Sequence, residues 1–344
     1  MIFRVISATL QDYLSIFAIK MRLEQFIQQA NMWGKSRTPF FFLIDFEQRQ
    51  PVICPLEQAA EIGVHFSIQD EQNAPISTEK PTALFQLSKQ PVPFDTYKQG
   101  FELVQSALQK GNSYLLNLTY PTAIHCNYDL AQIYQASQAK YKLWYRDQFV
   151  CFSPESFVRV AHNQIFTYPM KGTIGANEAN AEQQLLGSEK EQCEHYTIVD
   201  LMRNDLAMVA QNIQVRRFRY VEKIGNDEKA ILQTSSEIVG DLAENWQDNI
   251  GSMLIKLLPA GSISGAPKEK TVEIIQQAEG QPRGYYTGIF GIFTGDSLDS
   301  AVAIRFIEKQ GEQLYFRSGG GITRHSVLDD EYRELVQKVY VPMA

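Results

Sequence analysis

The sequence predicts a mixed α and β fold. Stretches such as PFFFLIDF and AVAIRFI show the continuous or alternating apolar pattern of strands, whereas EKEQCEHYTIVDLMRNDLAMVA repeats its apolar residues at spacings of three and four, as an amphipathic helix does. The chain of 344 residues is 44% hydrophobic and 21% charged, which is enough apolar content for a substantial core. No internal repeat or low-complexity tract interrupts the pattern.

The elements can be followed in order. The first 94 residues carry the weakest signals, namely a helix in LEQFIQQANMW, the strand PFFFLIDF and a polar loop, QDEQNAPISTEKPTA. From Asp95 the sequence predicts a helix in YKQGFELVQSALQKG that stops at Gly111, followed by the strand SYLLNLTYP. The stretch FVCFSPESFVRVAHNQIFTYPM indicates two strands joined by a turn at His162 and Asn163, so that Lys171 follows a strand end.

The second half begins with the long amphipathic helix quoted above. A loop and helix follow in LLPAGSISGAPKEKTVEIIQQAEG, where Pro267 suits the first turn. Strands are expected in GIFGIF, SAVAIRFI and QLYFRSGGGI, and a last helix in VLDDEYRELVQKVYV.

Charge and composition exclude several classes of function. A net charge of −7, a pI near 5.4 and no dense basic run argue against nucleic acid binding. Polar and charged residues break the apolar positions of MIFRVISATLQDYLSIFAIKMRLEQF, so this segment is predicted to be neither a secretory signal nor a membrane span. We therefore expect a cytoplasmic protein with no membrane partner.

The cysteines are predicted to be reduced bystanders. They are far apart, form no CxxC pair and have no histidine at zinc spacing: Cys54, Cys126, Cys151 and Cys193. None has the glycine flanks of a nucleophile elbow, so the sequence offers no thiol placed to hydrolyse an amide.

The stretch YPMKGT places Lys171 between an apolar segment and a Gly-Thr turn. A partly apolar pocket favours the uncharged amine, which can act as a nucleophile or a base.

Two pairs of glutamates share the spacing of three residues on predicted helices. Glu191 and Glu194 begin the long helix, and Glu331 and Glu334 lie in the last helix, so each pair occupies one helix face. Together they would suit magnesium, which binds one or two carboxylates directly and others through water. From the spacing alone, two solvated helix faces are the simpler explanation.

Arginine and glycine supply candidate anion-binding groups. In DSAVAIRFI the alternation puts Arg305 on the same face as Ala301 and Ala303, where it suits a carboxylate or a structural ion pair. Gly319, Gly320 and Gly321 permit close backbone approach to an anion or a tight turn.

The loop GSISGAPK is not a nucleotide-binding loop, because Lys268 follows proline rather than the glycine of the Walker pattern. A Ser/Gly loop at a helix N-terminus still suits a carboxylate. In SPESF, Glu155 lies on a predicted strand near Phe152 and Phe157, where burial would make it a general acid; a turn carboxylate bound by backbone N–H groups is the alternative.

Nine segments together resemble the chorismate-utilising enzymes, in a match that runs in order from about Tyr97 to Val341. They are GNSYLLNLTYPT, SPESF, YPMKGT, EHYTIVDLMRNDLA, LLPAGSISGAPK, GYYTGIFGIF, AVAIRF, SGGGIT and DDEYRELVQKV. The resemblance implies an α+β fold, a large two-sheet β-sandwich with helices packed outside and the site between the sheets. It covers residues 95–344 as the chorismate-binding catalytic region, whereas residues 1–94 match weakly as the N-terminal part of the same fold.

The resemblance also implies roles for the candidate residues. Magnesium would anchor the ring carboxylate of chorismate, with Glu194 and Glu334 as direct ligands and Glu191 and Glu331 as ligands through water. The remaining substrate-binding residues would be Arg305, Gly319, Gly320, Gly321, Lys338, Ser264, Tyr286 and Thr173.

Within this family the lysine of the PxKGT motif distinguishes the reactions. Enzymes that carry this lysine resemble aminodeoxychorismate synthase component I. The resemblance implies that Lys171 attacks C2 of chorismate while Glu155 assists departure of the C4 hydroxyl. Ammonia then displaces Lys171 from the ring, giving 4-amino-4-deoxychorismate for 4-aminobenzoate and folate synthesis. Isochorismate and salicylate synthases use a further lysine to activate water, and Leu115 stands in its place here.

Two features qualify this expectation. Family members that expel pyruvate usually have a histidine where Gln233 stands in ILQTSSEIVG. The chain also has no amidase cysteine, so we expect a separate glutaminase subunit to supply ammonia as a heterodimer partner. The alternatives are anthranilate synthase component I and a chorismate-binding protein without catalysis.

Overall fold

The computed structural model describes residues 21–73, 83–224 and 230–343. Most of the N-terminal segment interpreted above and residues 74–82 of the predicted polar loop lie outside the described residues. No helix within the described residues has the length and apolar character that a membrane span requires.

The described residues contain eight α-helices. They are α1 (Leu23–Lys35), α2 (Phe94–Gln109), α3 (Leu130–Ala136), α4 (Ala181–Gly187), α5 (Glu189–Ala207), α6 (Ile250–Lys256), α7 (Lys268–Glu279) and α8 (Leu328–Gln337). The helices predicted in α1, α2, α5, α7 and α8 are confirmed. At the start of α5 the Ser188 hydroxyl accepts a hydrogen bond from the Glu191 backbone N–H at 3.3 Å, and Gly280 ends α7 in the left-handed conformation (φ +66°).

Eighteen strands lie in the described residues. They are β1 (Phe40–Ile44), β2 (Val52–Pro55), β3 (Val64–Ile68), β4 (Glu71–Gln72), β5 (Leu87–Gln90), β6 (Leu115–Cys126), β7 (Tyr141–Tyr145), β8 (Phe149–Ser153), β9 (Ser156–Ala161), β10 (Gln164–Thr167), β11 (Met170–Gly175), β12 (Gln211–Ile224), β13 (Ile231–Asp241), β14 (Gly265–Ala266), β15 (Ile289–Phe293), β16 (Leu298–Val302), β17 (Phe306–Gln310) and β18 (Gln313–Ile322).

These strands form two antiparallel sheets of nine strands each. Sheet I has the order β11-β13-β10-β9-β16-β15-β1-β2, with β12 along β13; sheet II has the order β14-β6-β18-β17-β8-β7-β3-β4, with β5 along β6. The predicted two-sheet α+β fold is therefore confirmed. Strands β1 to β5 lie in both sheets, so the described part of residues 1–94 belongs to the same architecture.

Buried apolar side chains join the layers. One cluster contains residues of both sheets, and within it the rings of Phe149 and Phe306 stack 4.6 Å apart. A larger cluster packs sheet I and β6 against the helices α1, α2, α5, α6, α7 and α8, which places these helices outside the sandwich as expected.

The chain changes sheets several times, and two of these breaks face each other. It passes from sheet II to sheet I between β8 and β9, and back to sheet II between β16 and β17. The breaks are bonded together, because the Phe152 N–H donates to the Arg305 carbonyl and the Val302 N–H donates to the Glu155 carbonyl, each at 3.1 Å.

These breaks correct two predictions. The stretch expected to form two strands forms β8, β9 and β10, and Glu155 lies in the break between β8 and β9 rather than on a strand. The single strand expected in SAVAIRFI ends at Val302, since Arg305 adopts the left-handed conformation (φ +52°) and turns the chain into β17. The turn at His162 and Asn163 is confirmed.

Candidate active site

Lys171 lies on β11, rather than after a strand end as predicted. The pairing of β11 with β13 slips between Lys171 and Thr173, and Gly172 between them has a φ of +78° that favours glycine. The Thr234 hydroxyl of β13 donates a hydrogen bond to the Lys171 carbonyl. Such a bulge re-aims a side chain, and here it directs Lys171 out of sheet I.

The Lys171 amine reaches across to sheet II. A Cβ atom placed on Gly321 of β18 would lie 3.1 Å from Lys171 Nζ and 3.2 Å from Leu115 Cδ1. Lys171 Nζ lies 3.6 Å from Glu194 Oε2, and its side chain is 21% exposed. The amine therefore occupies a cleft between the two sheets, partly shielded from water and beside an apolar side chain.

The glutamates of α8 line the same cleft. A Cβ atom on Gly320 would lie 3.3 Å from both Glu331 Oε2 and Glu334 Oε1, so a larger residue here would crowd both carboxylates. Glu331 is 4% exposed and accepts a hydrogen bond from the Ser326 hydroxyl at 2.7 Å.

The glutamates of α5 approach from the opposite side. A Cβ atom on Gly172 would lie 3.0 Å from Glu191 Oε2, and Glu194 contacts Lys171. Both predicted glutamate pairs thus face the cleft: Glu191 and Glu194 beside Lys171 and Gly172, and Glu331 and Glu334 beside Gly320. Their carboxylates are the hard oxygen donors that magnesium prefers, although within the described ranges no three acidic, cysteine or histidine side chains already converge on one point.

Lys338, just after α8, connects this helix to the glycine strand. Its Nζ donates to the Gly319 carbonyl at 2.9 Å and lies 2.6 Å from Glu334 Oε1. Burial lowers the pKa of Lys338, Glu334 opposes this shift, and the nearby charges of Arg305 and Lys171 lower the pKa further.

The glycines are strand residues, which excludes the tight-turn alternative. Gly319, Gly320 and Gly321 pair with β6, whereas β17 pairs with β18 only from Gln313 to Arg317. The second edge of β18 beyond Arg317 is therefore not covered by β17.

Glu155 lies in the first break between the sheets, where the Ser262 hydroxyl donates a hydrogen bond to its Oε1. Burial raises the pKa of Glu155, and the Ser262 hydrogen bond and the charges of Lys171, Arg305 and Lys338 oppose the shift. A carboxyl group with a raised pKa keeps its proton at higher pH, as a general acid must.

Arg305 projects from the second break, with its guanidinium 5.4 Å from the centre of the Tyr340 ring. Tyr286 is 4% exposed, and burial raises its pKa to about 12, opposed by the charges of Arg283 and Arg305. The two basic groups of the cleft wall, Arg305 and Lys338, lie within electrostatic range of each other and of Glu155.

Two predicted substrate-binding residues are placed differently from the rest. Ser264 is buried, and its hydroxyl donates within its own loop to the Ala260 carbonyl at 2.8 Å. Thr173 is exposed on β11, opposite Gln233 of β13.

The sequence indicated no role for His195, which follows Glu194 in α5. It is fully buried, and its Nε2 lies 2.7 Å from the Ser236 hydroxyl of β13. Burial, followed by the charges of Arg219 and Lys171, lowers the pKa of His195 to about 4, so the ring is neutral at neutral pH. This contact fixes the helix that carries Glu194 onto the strand that bonds the backbone of Lys171.

The family model of chorismate binding enzymes matches residues 20–344. The chain belongs to this family. A PabA-like protein of Pasteurella multocida is 67% identical over 94% of this chain and 100% of its own length. Aminodeoxychorismate synthase component 1 of Bacillus subtilis is 30% identical over 72% of this chain, and that of Escherichia coli is 31% identical over 71%. The matches span 54% and 56% of those two relatives.

Solved structures of the family share the fold. Isochorismate synthase DhbC of Bacillus anthracis superposes with a TM-score of 0.67 at 19% identity, over 93% of this chain and 87% of its own. Anthranilate synthase component I of Streptococcus pneumoniae gives a TM-score of 0.63 at 24% identity, over 77% of this chain and 61% of its own. The described sandwich is thus that of chorismate-utilising enzymes.

Proposed function

We propose that this enzyme aminates chorismate at C4 with ammonia to give 4-amino-4-deoxychorismate, by way of a covalent intermediate on Lys171. The observation that carries the proposal is the placement of the Lys171 amine in the cleft, between Glu194 and Gly321 and within electrostatic range of Glu155. The relatives described as aminodeoxychorismate synthase component 1 support it.

The first step forms one bond and breaks one. Lys171 Nζ forms a bond to C2 of chorismate, the ring double bonds shift, and the C4–O bond breaks. Glu155 gives its proton to the departing hydroxyl, which leaves as water. The raised pKa of Glu155 supports this role because the acid must be protonated when the substrate arrives.

The second step restores the lysine. Ammonia attacks C4, the double bonds shift back, and the bond between C2 and Lys171 breaks. The electron pair of the C2–N bond returns to Lys171, which is released as the uncharged amine, and the new ammonium group at C4 gives one proton back to Glu155. Chorismate and ammonia therefore become 4-amino-4-deoxychorismate and water, and the enolpyruvyl group is kept.

Two groups of charges would hold the substrate. Arg305 and Lys338, together with the open edge of β18 at Gly319–Gly321, suit the enolpyruvyl carboxylate. For magnesium, Glu194 and Glu334 would be direct ligands and Glu191 and Glu331 ligands through water. When bound, magnesium would neutralise the ring carboxylate; Lys171 and Lys338 would then exchange their contacts with Glu194 and Glu334 for contacts with substrate.

We also propose that a separate glutaminase supplies the ammonia, in a cytoplasmic heterodimer. The four cysteines are free, and burial raises the thiol pKa of Cys54, Cys126 and Cys151, which opposes thiolate formation. The purified chain should use ammonium but not glutamine. Glutamine hydrolysis by the chain alone would contradict the proposal that a separate glutaminase supplies the ammonia.

Anthranilate synthase component I is the second candidate, since that enzyme of Archaeoglobus fulgidus is 36% identical over 54% of this chain. There ammonia would attack C2 directly and pyruvate would leave, with no role for Lys171. A chorismate-binding protein without catalysis is the third candidate.

The test is mass spectrometry of the small molecules after the purified chain is mixed with chorismate, magnesium and ammonium. Exchange of one hydroxyl for an amino group without release of pyruvate supports the proposal, provided that Lys171→Met does not catalyse it. Anthranilate with pyruvate would establish the second candidate. Unchanged chorismate, even after a glutaminase is added, would contradict both enzymes.

A further inference from the structure

The tail of the chain after α8 is fastened on both sides of Tyr340. Val339 and Val341 pack into an apolar cluster formed by α3 and strands of sheet II, whereas Tyr340 between them is 46% exposed. Further along, the Gln138 N–H donates to the Pro342 carbonyl at 2.7 Å. The backbone of Tyr340 is therefore held in place while its ring stays outside the cluster. The sequence indicated no role for this residue.

The Tyr340 ring contacts Arg305, which turns the chain at the second break between the sheets. The Arg305 guanidinium lies over the ring, 5.4 Å from its centre. Within the described ranges Arg305 forms no ion pair with a carboxylate, whereas Arg159, Arg283 and Arg317 each do so, at 2.9, 2.6 and 2.8 Å. Arg305 thus differs from these arginines because its partner is a ring.

A ring partner leaves the hydrogen-bond donors of an arginine free. A carboxylate takes the N–H groups of the planar guanidinium fork in a bidentate pair. An aromatic face attracts the cation through its quadrupole instead and does not compete for those in-plane donors. Contact with a ring therefore restricts the rotamers of a long side chain, whose freedom is costly to lose on binding, and keeps the fork open for a ligand.

The same tail also carries the other basic group of the cleft wall. Lys338 lies just before the buried Val339, and its Nζ donates to the Gly319 carbonyl of β18 at 2.9 Å. The charges of Arg305 and Lys338 act on each other, and like charges repel. A carboxylate bound between the two cations would relieve this repulsion.

We propose that Tyr340 is a positioning residue that holds the Arg305 guanidinium ready for the enolpyruvyl carboxylate of chorismate. This inference rests on the proposed function, in which Arg305 binds that carboxylate. Tyr340 acts through Arg305 and does not itself contact the reacting atoms.

The experiment measures the Kd of chorismate by calorimetry in the presence of magnesium, and the kcat and KM of amination with ammonium. Binding is measured in the Lys171→Met background, where the proposed covalent adduct cannot form. Tyr340→Ala should raise both Kd and KM about two- to fivefold, the size expected for a cation–π contact at an exposed site. The kcat should stay nearly unchanged, because the contact serves substrate binding rather than the chemical step.

Two further variants isolate the ring. Tyr340→Phe keeps the aromatic face and should bind chorismate as tightly as the parent protein. Tyr114→Ala removes a tyrosine that is 70% exposed and should leave both Kd and KM unchanged.

A double-variant comparison tests whether Tyr340 acts through Arg305. Arg305→Met should itself weaken binding, and Tyr340→Ala should then weaken it no further, because the contact is already lost. An equal loss from Tyr340→Ala with and without Arg305 would show that the ring acts by another route and would overturn the inference.

The inference also fails if Tyr340→Ala binds chorismate as tightly as Tyr114→Ala does. Absence of amination by the wild-type protein would instead contradict the proposed function, and the binding measurements would still decide the role of Tyr340. Thermal unfolding of each variant establishes that the constants refer to folded protein.

Discussion

Two ion pairs in this molecule differ in how completely they are bonded. Arg283 and Glu279 are each 1% exposed and make two hydrogen bonds with each other, at 2.6 and 3.0 Å. Arg283 also donates to the carbonyls of Asn117 and Ile263, and Glu279 accepts two bonds from Thr119. Lys171 and Glu194 are partly exposed, and their charged atoms lie 3.6 Å apart.

The difference separates a structural pair from a pair suited to chemistry. The bonds of the Arg283–Glu279 pair join α7 to β6, to the Ser262 loop and to Thr287, so neither charge can leave without stranding the other in an apolar interior. Lys171 makes a long contact in a cleft and can exchange Glu194 for another partner at little cost. The rigid pair therefore holds the frame on which the exchangeable pair works.

Removing the exchangeable cation, Lys171, should produce the largest effect, and this effect should be on activity rather than on stability. Lys171→Met keeps most of the stem but has no amine, so we expect amination to fall at least about a thousandfold, the loss of a nucleophile. The free energy of unfolding should change by about 1 kcal/mol or less, because the ion pair is partly exposed. Product assays and urea denaturation check the two parts, and unaltered amination would remove the covalent mechanism.

Removing the buried cation should affect the fold. Arg283→Met leaves Glu279 buried without its partner, and we expect about 3–5 kcal/mol of destabilisation in urea denaturation. The double variant Arg283→Met/Glu279→Leu should recover part of this loss because no buried charge remains. Equal stability of Arg283→Met and wild type would show that the pair is not structural.

His195 makes a third contrast, a buried base that is kept uncharged. Its pKa is lowered from 6.5 to about 4 in the folded state, so below pH 6.5 the unfolded chain binds the proton more tightly and stability falls with the pH. This group alone should remove roughly 3 kcal/mol between the two pKa values.

The variant His195→Gln keeps a hydrogen-bonding group beside Ser236 but does not titrate. We expect the difference in unfolding free energy between the variant and wild type to change in favour of the variant as the pH falls through this window. Parallel stability curves would show that His195 does not titrate as inferred.

The smallest effect should come from an exposed pair. Lys270 Nζ and Glu273 Oε2 lie 2.7 Å apart, closer than Lys171 and Glu194, but both side chains are more than half exposed. Lys270→Ala should therefore change the unfolding free energy by less than about 0.5 kcal/mol. A larger loss would mean that distance, rather than burial, determines the strength of these pairs.

Local pattern predicted much of this architecture but not the points where the chain changes sheets. Helices such as α5 were visible because their periodicity extends over many residues. The apolar alternation of SAVAIRFI runs through Ile304 without interruption, and only the pairing of β16 with sheet I and β17 with sheet II shows that it holds two strands. Pro154, just before Glu155, was the one local signal of the other break.

The residues of the candidate site also fall into two groups: those that a sequence motif indicated and those that only the fold brings together. Lys171 and the four glutamates were found through motifs, and the structure places them around one cleft. Tyr340, Ser262 and Arg283 carried no signal, since each gains its meaning from partners distant in the sequence. The sequence alone allowed the glycines of β18 to form either a tight turn or a strand, and their pairing with β6 decides for the strand.

The most direct measurement is peptide mapping of the protein after incubation with chorismate and magnesium in the absence of ammonia. A mass increase equal to chorismate less one water, located on the peptide that carries Lys171 and removed when ammonium is added, is the predicted result. Amination by wild-type protein without any such adduct, or with an adduct on another residue, would contradict the proposed mechanism.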